Sequence, residues 1–257
     1  MKKYYYLVHI QYLGFRYHGW MKQPGVKTIE SMVEKTLGFI LGHTRFKILG
    51  ASRTDAKVSA HHSAFELFVR EPLNTRRLLQ DFDLNLPNDI KVSKVEAVDS
   101  SFNILNSPES KEYIYLFSYG EKTHPFCASL MSSFMDELDI DLMKQGAGLF
   151  LGKHNFTRYC TKPKPGAVLE REIQVSRIEE NKLFFASFFP PKSWVYHIRS
   201  RGFLRYQVRL IMGQLLRLGR GEIQLDDIKA SLTGDDHRPF RHIASGSGLI
   251  LNKIKFK

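Results

Sequence analysis

The chain has 257 residues, of which 43% are hydrophobic and 25% charged, a composition typical of a globular protein with one large or two small domains. Its formal net charge is +12, and its lysines and arginines are spread along the whole sequence rather than gathered in a tail. This charge favours a polyanionic partner, most simply a nucleic acid, over an anionic membrane surface or a merely soluble basic protein.

Cysteine usage and the N-terminus indicate a reducing compartment. The two cysteines, Cys127 and Cys160, lie far apart, so we expect neither a disulfide framework nor a cysteine zinc site. The sequence after Met1 runs directly into a strand-like pattern instead of a signal peptide. No apolar run approaches the ~20 residues that span a bilayer. We therefore predict a cytoplasmic protein with no membrane segment.

The first hundred residues predict alternating strands and helices. Thr28 is a suitable N-cap for an amphipathic helix, and Pro72 begins a second helix-compatible stretch. Strands are expected at Tyr4–Tyr12, Phe46–Leu49, Ala64–Val69 and Ile90–Val98, and the first helix is expected at Ile29–Leu41. This order favours an α+β layer with helices covering one face of a sheet.

The second half, from about Ser101, also mixes strands and helices. Tyr113, Tyr115 and Phe117 alternate on one face of a predicted strand. Further elements are expected at Asp141–Leu151 (helix), Ile173–Ile178 and Leu183–Phe189 (strands), Gly202–Leu218 and Asp226–Leu232 (helices), and Leu249–Phe256 (strand). We predict two domains, 1–100 and 101–257, joined without a long linker.

The segment Gly50–Ala60 is the strongest candidate for chemistry. Arg53 and Asp55 lie two residues apart among small residues, between two predicted strands. A guanidinium close to a carboxylate keeps it ionised and orients it, and such an aspartate can act as a nucleophile, a base or an electrostatic stabiliser. The alternative is an ordinary turn aspartate beside a surface arginine.

A second basic feature lies in the predicted helix Gly202–Leu218. Arg201, Arg205 and Arg209 are spaced four residues apart, which would place them in a stripe along one side of a helix. The stripe is either a face that follows RNA phosphates or a solvated helix face. Tyr113 and Tyr115 leave a similar choice between core packing and stacking on a nucleobase.

Other kinds of site find no support in the sequence. The ten histidines form no HExxH or His/Cys zinc pattern, and His61 and His62 are expected on opposite faces of a strand. Walker A, GxGxxG and GxSxG motifs are absent. We therefore expect no metal and no nucleotide cofactor.

Six motifs in chain order resemble those of the TruA family of tRNA pseudouridine synthases, and they cover nearly the whole chain. They are Tyr12-x-Gly14-x4-Gly19-Trp20-x2-Gln23, Arg53-Thr54-Asp55-Ala56, Asn85-Leu86-Pro87-x-Asp89-Ile90, Lys111-x-Tyr113-x-Tyr115, Leu151-Gly152-x-His154-Asn155-Phe156 and Phe203-x4-Val208-Arg209-x3-Gly213. The chain departs from the family's pattern at Leu13, Ser52, Lys57, Ser59, Leu105, Asn155 and Leu210. These departures are typical of a divergent member, and those at Leu13, Lys57, Ser59 and Leu105 bear on which uridines it modifies.

The resemblance implies a role for each candidate residue. Asp55 would be the catalytic aspartate, Arg53 would support its loop and help extrude the target nucleotide, Tyr113 would stack on the flipped uracil, and Arg209 would pair with Asp55. Arg201 and Arg205, selected from the basic stripe rather than from the resemblance, would bind phosphates of the tRNA. The resemblance also implies a homodimer without cofactor or metal. Each chain would form two ferredoxin-like (RRM-like) α+β halves that share a continuous, mainly antiparallel sheet, with helices on one face and a basic cleft on the other.

The implied reaction converts uridine to pseudouridine by breaking the N1–C1′ bond, rotating the uracil and rejoining it through C5. The family's typical targets lie in the anticodon stem-loop, at roughly positions 38 to 40, and a stacked base there must be flipped out at a cost of a few kcal/mol. Asp55 could act as nucleophile or as base for a glycal route. The competing hypotheses are a non-catalytic tRNA- or RNA-binding protein on the same scaffold and a basic hydrolase that uses Asp55 alone.

Overall fold

The computed structural model describes residues 3–257 and has an α+β architecture, as predicted. Contacts between Cα atoms divide the described chain into two compact units. The first unit extends to Glu109 and includes Leu251–Lys257, and the second unit comprises Ser110–Ile250. As functional domains, 1–100 and 101–257 stay a prediction.

The first unit is built on a central strand, β1 (Tyr4–Tyr12), that pairs antiparallel with a neighbour on each side. The remaining elements are α1 (Ile29–Leu41), β2 (Lys47–Gly50), β3 (Ser59–Val69), α2 (Thr75–Asn85) and β4 (Ile90–Val98). The strand order is β4-β1-β3, with β2 pairing antiparallel to β3. β3 also borders β10 (Leu249–Phe256), whose residues from Leu251 onward belong to this unit.

Helix α1 begins and ends as its sequence predicts. The Thr28 side chain accepts a hydrogen bond from Ser31 N at 3.2 Å, and Ser31 Oγ accepts one from Thr28 N at 3.1 Å. Gly42 ends the helix in a left-handed conformation with a φ of 67°. The buried side chains Ile29, Val33 and Leu37 form the apolar face of the helix, which confirms the predicted amphipathic pattern.

The second unit contains most of β5 (Pro108–Tyr119), which pairs antiparallel with β9 (Trp194–Ser200) and parallel with β6 (Ser132–Phe134). Its other elements are α3 (Ile140–Gly148), β7 (Gly152–Asn155), β8 (Glu170–Glu180), α4 (Gln207–Gly219) and α5 (Leu225–Ala230). The strand order is β5-β9-β8-β7, and all three of these pairings are antiparallel.

The mainly antiparallel α+β fold class is confirmed. The ferredoxin-like character of the halves, the continuity of one sheet through both and the basic cleft stay predictions. Within residues 3–257, no helix is both long and apolar enough to cross a membrane.

Two predicted elements of the second half are wrong. The helix expected over Gly202–Leu218 begins only at Gln207, because Tyr206 has a left-handed backbone with a φ of 62°. Arg201 and Arg205 therefore precede the helix, and the predicted helical stripe with Arg209 does not exist. The segment Leu183–Phe189 is a loop rather than a strand, and the strand of this region is β9, directly after it.

The expected opposite orientation of His61 and His62 is also wrong, since their rings lie 4.4 Å apart. The pairing of β1 with β3 passes from Ile10↔Ser63 to Tyr12↔Ala60, so β3 has one extra residue at this point. This bulge interrupts the alternation of side chains and turns both histidines the same way.

Candidate active site

The Arg-Thr-Asp loop, residues 51–58, connects β2 to β3 in the first unit. Arg53 is exposed, Asp55 is half-buried, and Thr54 between them is buried. Inside the loop, Val58 N donates to Asp55 O at 3.2 Å. The structure thus places Arg53 and Asp55 on a loop between two paired strands, as predicted from the flanking apolar runs.

The buried Thr54 is the point at which the rest of the unit holds this loop. The Tyr12 hydroxyl lies 2.8 Å from Thr54 Oγ1, and Trp20 N donates to Thr54 O at 3.0 Å. A Cβ atom added to Gly19 would lie 2.5 Å from Thr54 O, and Gly19 has a φ of 88°. Glycine is required there because the two backbones touch. The aromatic and glycine positions of the first motif therefore form the support of the loop that carries Asp55.

Two departures from the family's pattern lie at the end of this loop, Lys57 within it and Ser59 at the start of β3, and the structure shows what each does. Lys57 has a φ of 67°, a left-handed conformation that costs a non-glycine residue roughly 1–2 kcal/mol, so glycine would be less strained there. Ser59 Oγ accepts a hydrogen bond from Gly14 N at 2.9 Å. A Cβ on Gly14 would collide with Val58 O, so Gly14 allows the end of the loop to pass close by.

Asp89 holds the turn that contains Arg16 and Tyr17, between β1 and Gly19. Its carboxylate accepts hydrogen bonds from Arg16 Nε and from the Tyr17 hydroxyl, each at 2.7 Å. Burial, followed by the hydrogen bond to Asp89, raises the pKa of Tyr17 to about 12, so the phenol stays protonated as a donor. Tyr17 O in turn accepts a hydrogen bond from Lys57 N at 3.0 Å, which connects Asp89 to the Arg-Thr-Asp loop.

In the second unit, Tyr113 lies on β5 opposite Ile198 of β9. Its ring meets the edge of Phe203, with the centroids 5.3 Å apart and the planes at 86°. Tyr113 is half-buried, whereas Tyr115 is fully buried and donates its hydroxyl hydrogen bond to Ser132 Oγ at 3.0 Å. Core packing therefore describes Tyr115, and Tyr113 keeps ring surface for another contact.

Lys111 belongs to the same strand face, two residues before Tyr113. It pairs across the sheet with Ser200 and is half-buried. Burial lowers the pKa of its ammonium group to about 8. Sequence reasoning did not select Lys111 as a site residue, although its motif position next to Tyr113 was the available signal.

Arg209 lies in the first turn of α4, and its partner comes from the segment that follows α5. Its Nε donates to Ala244 O at 2.7 Å, and its guanidinium lies 5.2 Å from the centroid of the Tyr206 ring. A Cβ on Gly213, one turn further along α4, would collide with His242 O. Gly213 thus lets this segment approach the helix closely enough for Ala244 to accept the Arg209 bond. This explains the arginine and glycine spacing of the last motif.

The charge of Arg209 acts on Tyr115 of β5. Burial raises the pKa of Tyr115 to about 12, and the positive charge of Arg209 opposes that rise. Tyr113 lies two residues from Tyr115 on the same face of β5. Phe203, which contacts Tyr113, and Tyr206, which Arg209 approaches, are aromatic residues that the sequence prediction left out.

Arg201 and Arg205 are exposed on the segment between β9 and α4. The guanidinium of Arg205 lies 5.3 Å from the centroid of Tyr206, the same ring that Arg209 approaches. In the second unit the structure therefore brings Tyr113 against Phe203, and Arg205 and Arg209 to the ring of Tyr206; in the first unit it places Arg53 and Asp55 on one loop. The pairing of Asp55 with Arg209 stays a prediction. Among residues 3–257, no cluster of His, Cys, Asp and Glu has the arrangement of a metal site.

Comparison with known proteins gives a consistent result. Residues 147–257 match a family model described as tRNA pseudouridine synthase. The tRNA pseudouridine synthase A of Dictyoglomus thermophilum is 31% identical over 251 residues, covering 97% of this chain and 98% of the relative. That of Thermodesulfovibrio yellowstonii is 30% identical over 250 residues, covering 95% and 96%. A Bacillus cereus protein named tRNA pseudouridine synthase A 2 is 27% identical over 252 residues, covering 98% and 99%. The chain belongs to the tRNA pseudouridine synthase A family.

Proposed function

We propose that this protein isomerises uridine to pseudouridine in tRNA, with Asp55 as the catalytic carboxylate. The observation that carries the proposal is the Arg-Thr-Asp loop, held at Thr54 by Tyr12 and Trp20 so that Asp55 stands half-buried on a fixed support. Membership of the tRNA pseudouridine synthase A family supports the reaction type and the substrate.

The proposed reaction conserves every atom of the substrate. The N1–C1′ bond breaks, the freed uracil rotates, and a C5–C1′ bond forms. The proton leaves C5 and N1 gains one, so the products need no external oxidant or co-reactant. Asp55 serves either by attacking C1′ as a nucleophile or by removing a proton from the ribose in a glycal route. Both routes require an ionised carboxylate, and we propose Arg209 as the fixed cation that keeps it ionised.

Residues of the second unit, together with Arg53 of the first, are proposed to bind the tRNA. The half-buried ring of Tyr113, braced by the edge of Phe203, is suited to stacking on a uracil that has left the helix. The exposed arginines Arg53, Arg201 and Arg205 are suited to RNA phosphates, with Arg53 next to the extruded nucleotide. We further propose the anticodon stem-loop as the target region, a homodimeric assembly and a cytoplasmic location.

Pseudouridine mapping tests this proposal. Unmodified tRNA transcripts are incubated with the protein, treated with carbodiimide and analysed by primer extension. We expect new stops in the anticodon stem-loop with the wild-type protein and none with Asp55→Asn. Asp83→Asn is a matched control, because Asp83 is an exposed aspartate on α2 and its change should leave activity unaltered. If the wild-type protein binds tRNA but forms no pseudouridine, the non-catalytic RNA-binding alternative replaces this proposal.

A further inference from the structure

The connection between β8 and β9 is unusually long and aromatic for an antiparallel hairpin. Such loops usually have 2–5 residues, whereas this one spans residues 181–193 and contains Phe184, Phe185, Phe188 and Phe189. We call it the phenylalanine loop. A long ordered loop on a sheet is a common place for a binding surface.

Hydrogen bonds at the two ends and in the middle of the phenylalanine loop fix its shape. Asn181 Oδ1 accepts from the backbone N–H groups of Leu183 and Phe184 at 3.0 and 3.1 Å, and Asn181 N donates to Ser193 O at 2.8 Å. Cys127 Sγ lies 3.3 Å from Phe188 O. The loop is therefore held at both its ends and its middle.

Part of the loop supports the core, and part of it does not. Phe184, Phe188 and Phe189 pack against the buried cluster that includes Ile114, Cys127 and Val195. Phe185 instead points to solvent, with 83% of its surface exposed, and Phe126, whose ring lies 5.7 Å from that of Phe188, is 69% exposed. Packing of the second unit does not account for these two exposed rings.

The charged residues within the loop are all positive, whereas Glu179 and Glu180 directly precede it and Glu121 precedes Lys122. Residues 181–193 contain Lys182 and Lys192 and no aspartate or glutamate, and both lysines are exposed. Lys122, also exposed, precedes Phe126 by four residues. Exposed aromatic rings between lysines are the arrangement that binds unpaired nucleic-acid bases and their phosphates. An isologous contact between two copies would instead bring the lysines of one loop against those of the other, on a chain whose net charge is +12.

The loop is also separated from the Tyr113 region. It enters β9 at Trp194, which pairs with Phe117, whereas Tyr113 pairs with Ile198 four residues further along. Four residues of a strand correspond to roughly 13 Å. A base stacked on this loop would thus belong to a nucleotide other than the one at Tyr113, since roughly 13 Å corresponds to about four stacked nucleotides.

From these observations we propose that the phenylalanine loop, with Phe126 beside it, is a second tRNA contact at which unpaired bases stack on Phe185 and Phe126. The proposal rests on tRNA as the substrate, and it adds a binding surface that acts on tRNA recognition and not on the chemical step.

The test compares Phe185→Ala, Phe126→Ala and the double variant with Phe39→Ala. Phe39 is a matched control, because it is 74% exposed but lies on α1 of the first unit. Affinity is measured with full-length tRNA and with an isolated anticodon stem-loop. We expect each loop variant to weaken binding of full-length tRNA by about tenfold, within the range of one lost stacking contact. The value of kcat and the melting temperature should stay unchanged, and Phe185→Trp should restore affinity; the comparison with the stem-loop shows whether the stacked bases belong to the anticodon arm.

Equal affinity of the double variant and wild type for full-length tRNA would overturn the proposal. So would conversion of a dimer to a monomer by the double variant in light scattering, which would assign the surface to a second copy of the chain. Binding is measured without turnover. A wild-type protein that forms no pseudouridine would therefore refute the proposed function but would not decide whether the phenylalanine loop binds tRNA.

Discussion

Arg209 and Ala244 are joined by two hydrogen bonds that run in opposite directions. Arg209 Nε donates to Ala244 O at 2.7 Å, and Ala244 N donates to Arg209 O at 3.1 Å. The first bond fixes the plane of the guanidinium, so that a carboxylate would be engaged through the two Nη groups. The position of Arg209 therefore depends on a segment that lies 35 residues away in the sequence.

Arg209→Lys should separate binding from catalysis. Lysine keeps the positive charge, but its single ammonium group cannot bond Ala244 O and present a planar fork at the same time. We expect tRNA affinity within a few-fold of wild type and a single-turnover rate reduced by about tenfold or more. Arg217→Lys is the control, because Arg217 is on the same helix and pairs with Glu222 at 3.0 Å. An unchanged rate for Arg209→Lys would contradict the role of the fork.

Tyr113→Ala should weaken the productive complex by about 1–3 kcal/mol, the usual range for a base stacked on an aromatic ring. Tyr113→Phe keeps the ring and should bind tRNA like wild type, while a slower turnover would reveal a role of the hydroxyl in proton transfer. Both variants are compared by their affinity for a tRNA that carries the target uridine. If Tyr113→Ala binds as tightly as Tyr113→Phe, the ring has no stacking role.

Binding of tRNA should depend strongly on salt, since a charge of +12 implies several phosphate contacts. The measurement is the slope of log K against log salt concentration. Arg201→Ala and Arg205→Ala should each reduce the magnitude of this slope by about one. Arg177→Ala should alter it less, because that guanidinium already pairs with Glu179 at 3.0 Å. A flat salt dependence of the wild-type protein would count against the nucleic-acid interpretation.

The free energy of unfolding should increase as the pH rises, because Lys111 is half-buried in the folded protein. Burial lowers its pKa from 10.5 to about 8 in the folded state, so between these values the unfolded chain binds more protons than the folded one. The free energy of unfolding then increases with pH across that window, by at most about 3 kcal/mol for this group. Lys111→Met should remove this part of the pH dependence in urea titrations. The same slope in Lys111→Met and wild type would show that Lys111 is not the group responsible.

The sequence predicted correctly those elements that are marked by a helix cap or by a regular apolar repeat. Helix α1 begins directly after the predicted N-cap, Thr28, and ends at Leu41, the last residue of the predicted apolar repeat. The last strand, Leu249–Phe256, alternates apolar and polar residues and is also confirmed. In α1, hydrogen bonds within a few residues determine the boundaries.

The failures have tertiary causes. The spacing of Leu204 and Val208 continues the helical pattern through Tyr206, and only the left-handed backbone there stops the helix. The phenylalanines of residues 184–189 have high β-propensity, but three of them pack onto the core as a loop while Trp194–Ser200 occupies the strand position. The partner of Arg209 could not be predicted because Ala244 has no chemical signature of its own.

The most direct test of the account is a parallel measurement of binding and conversion by Asp55→Asn. This change removes the carboxylate charge while keeping nearly the same shape, and it leaves the exposed arginines that we propose as the phosphate contacts untouched. We predict that pseudouridine formation is abolished while the Kd for tRNA stays within a few-fold of the wild-type value. Substantial conversion of uridine by Asp55→Asn would contradict the assignment of Asp55 as the catalytic residue.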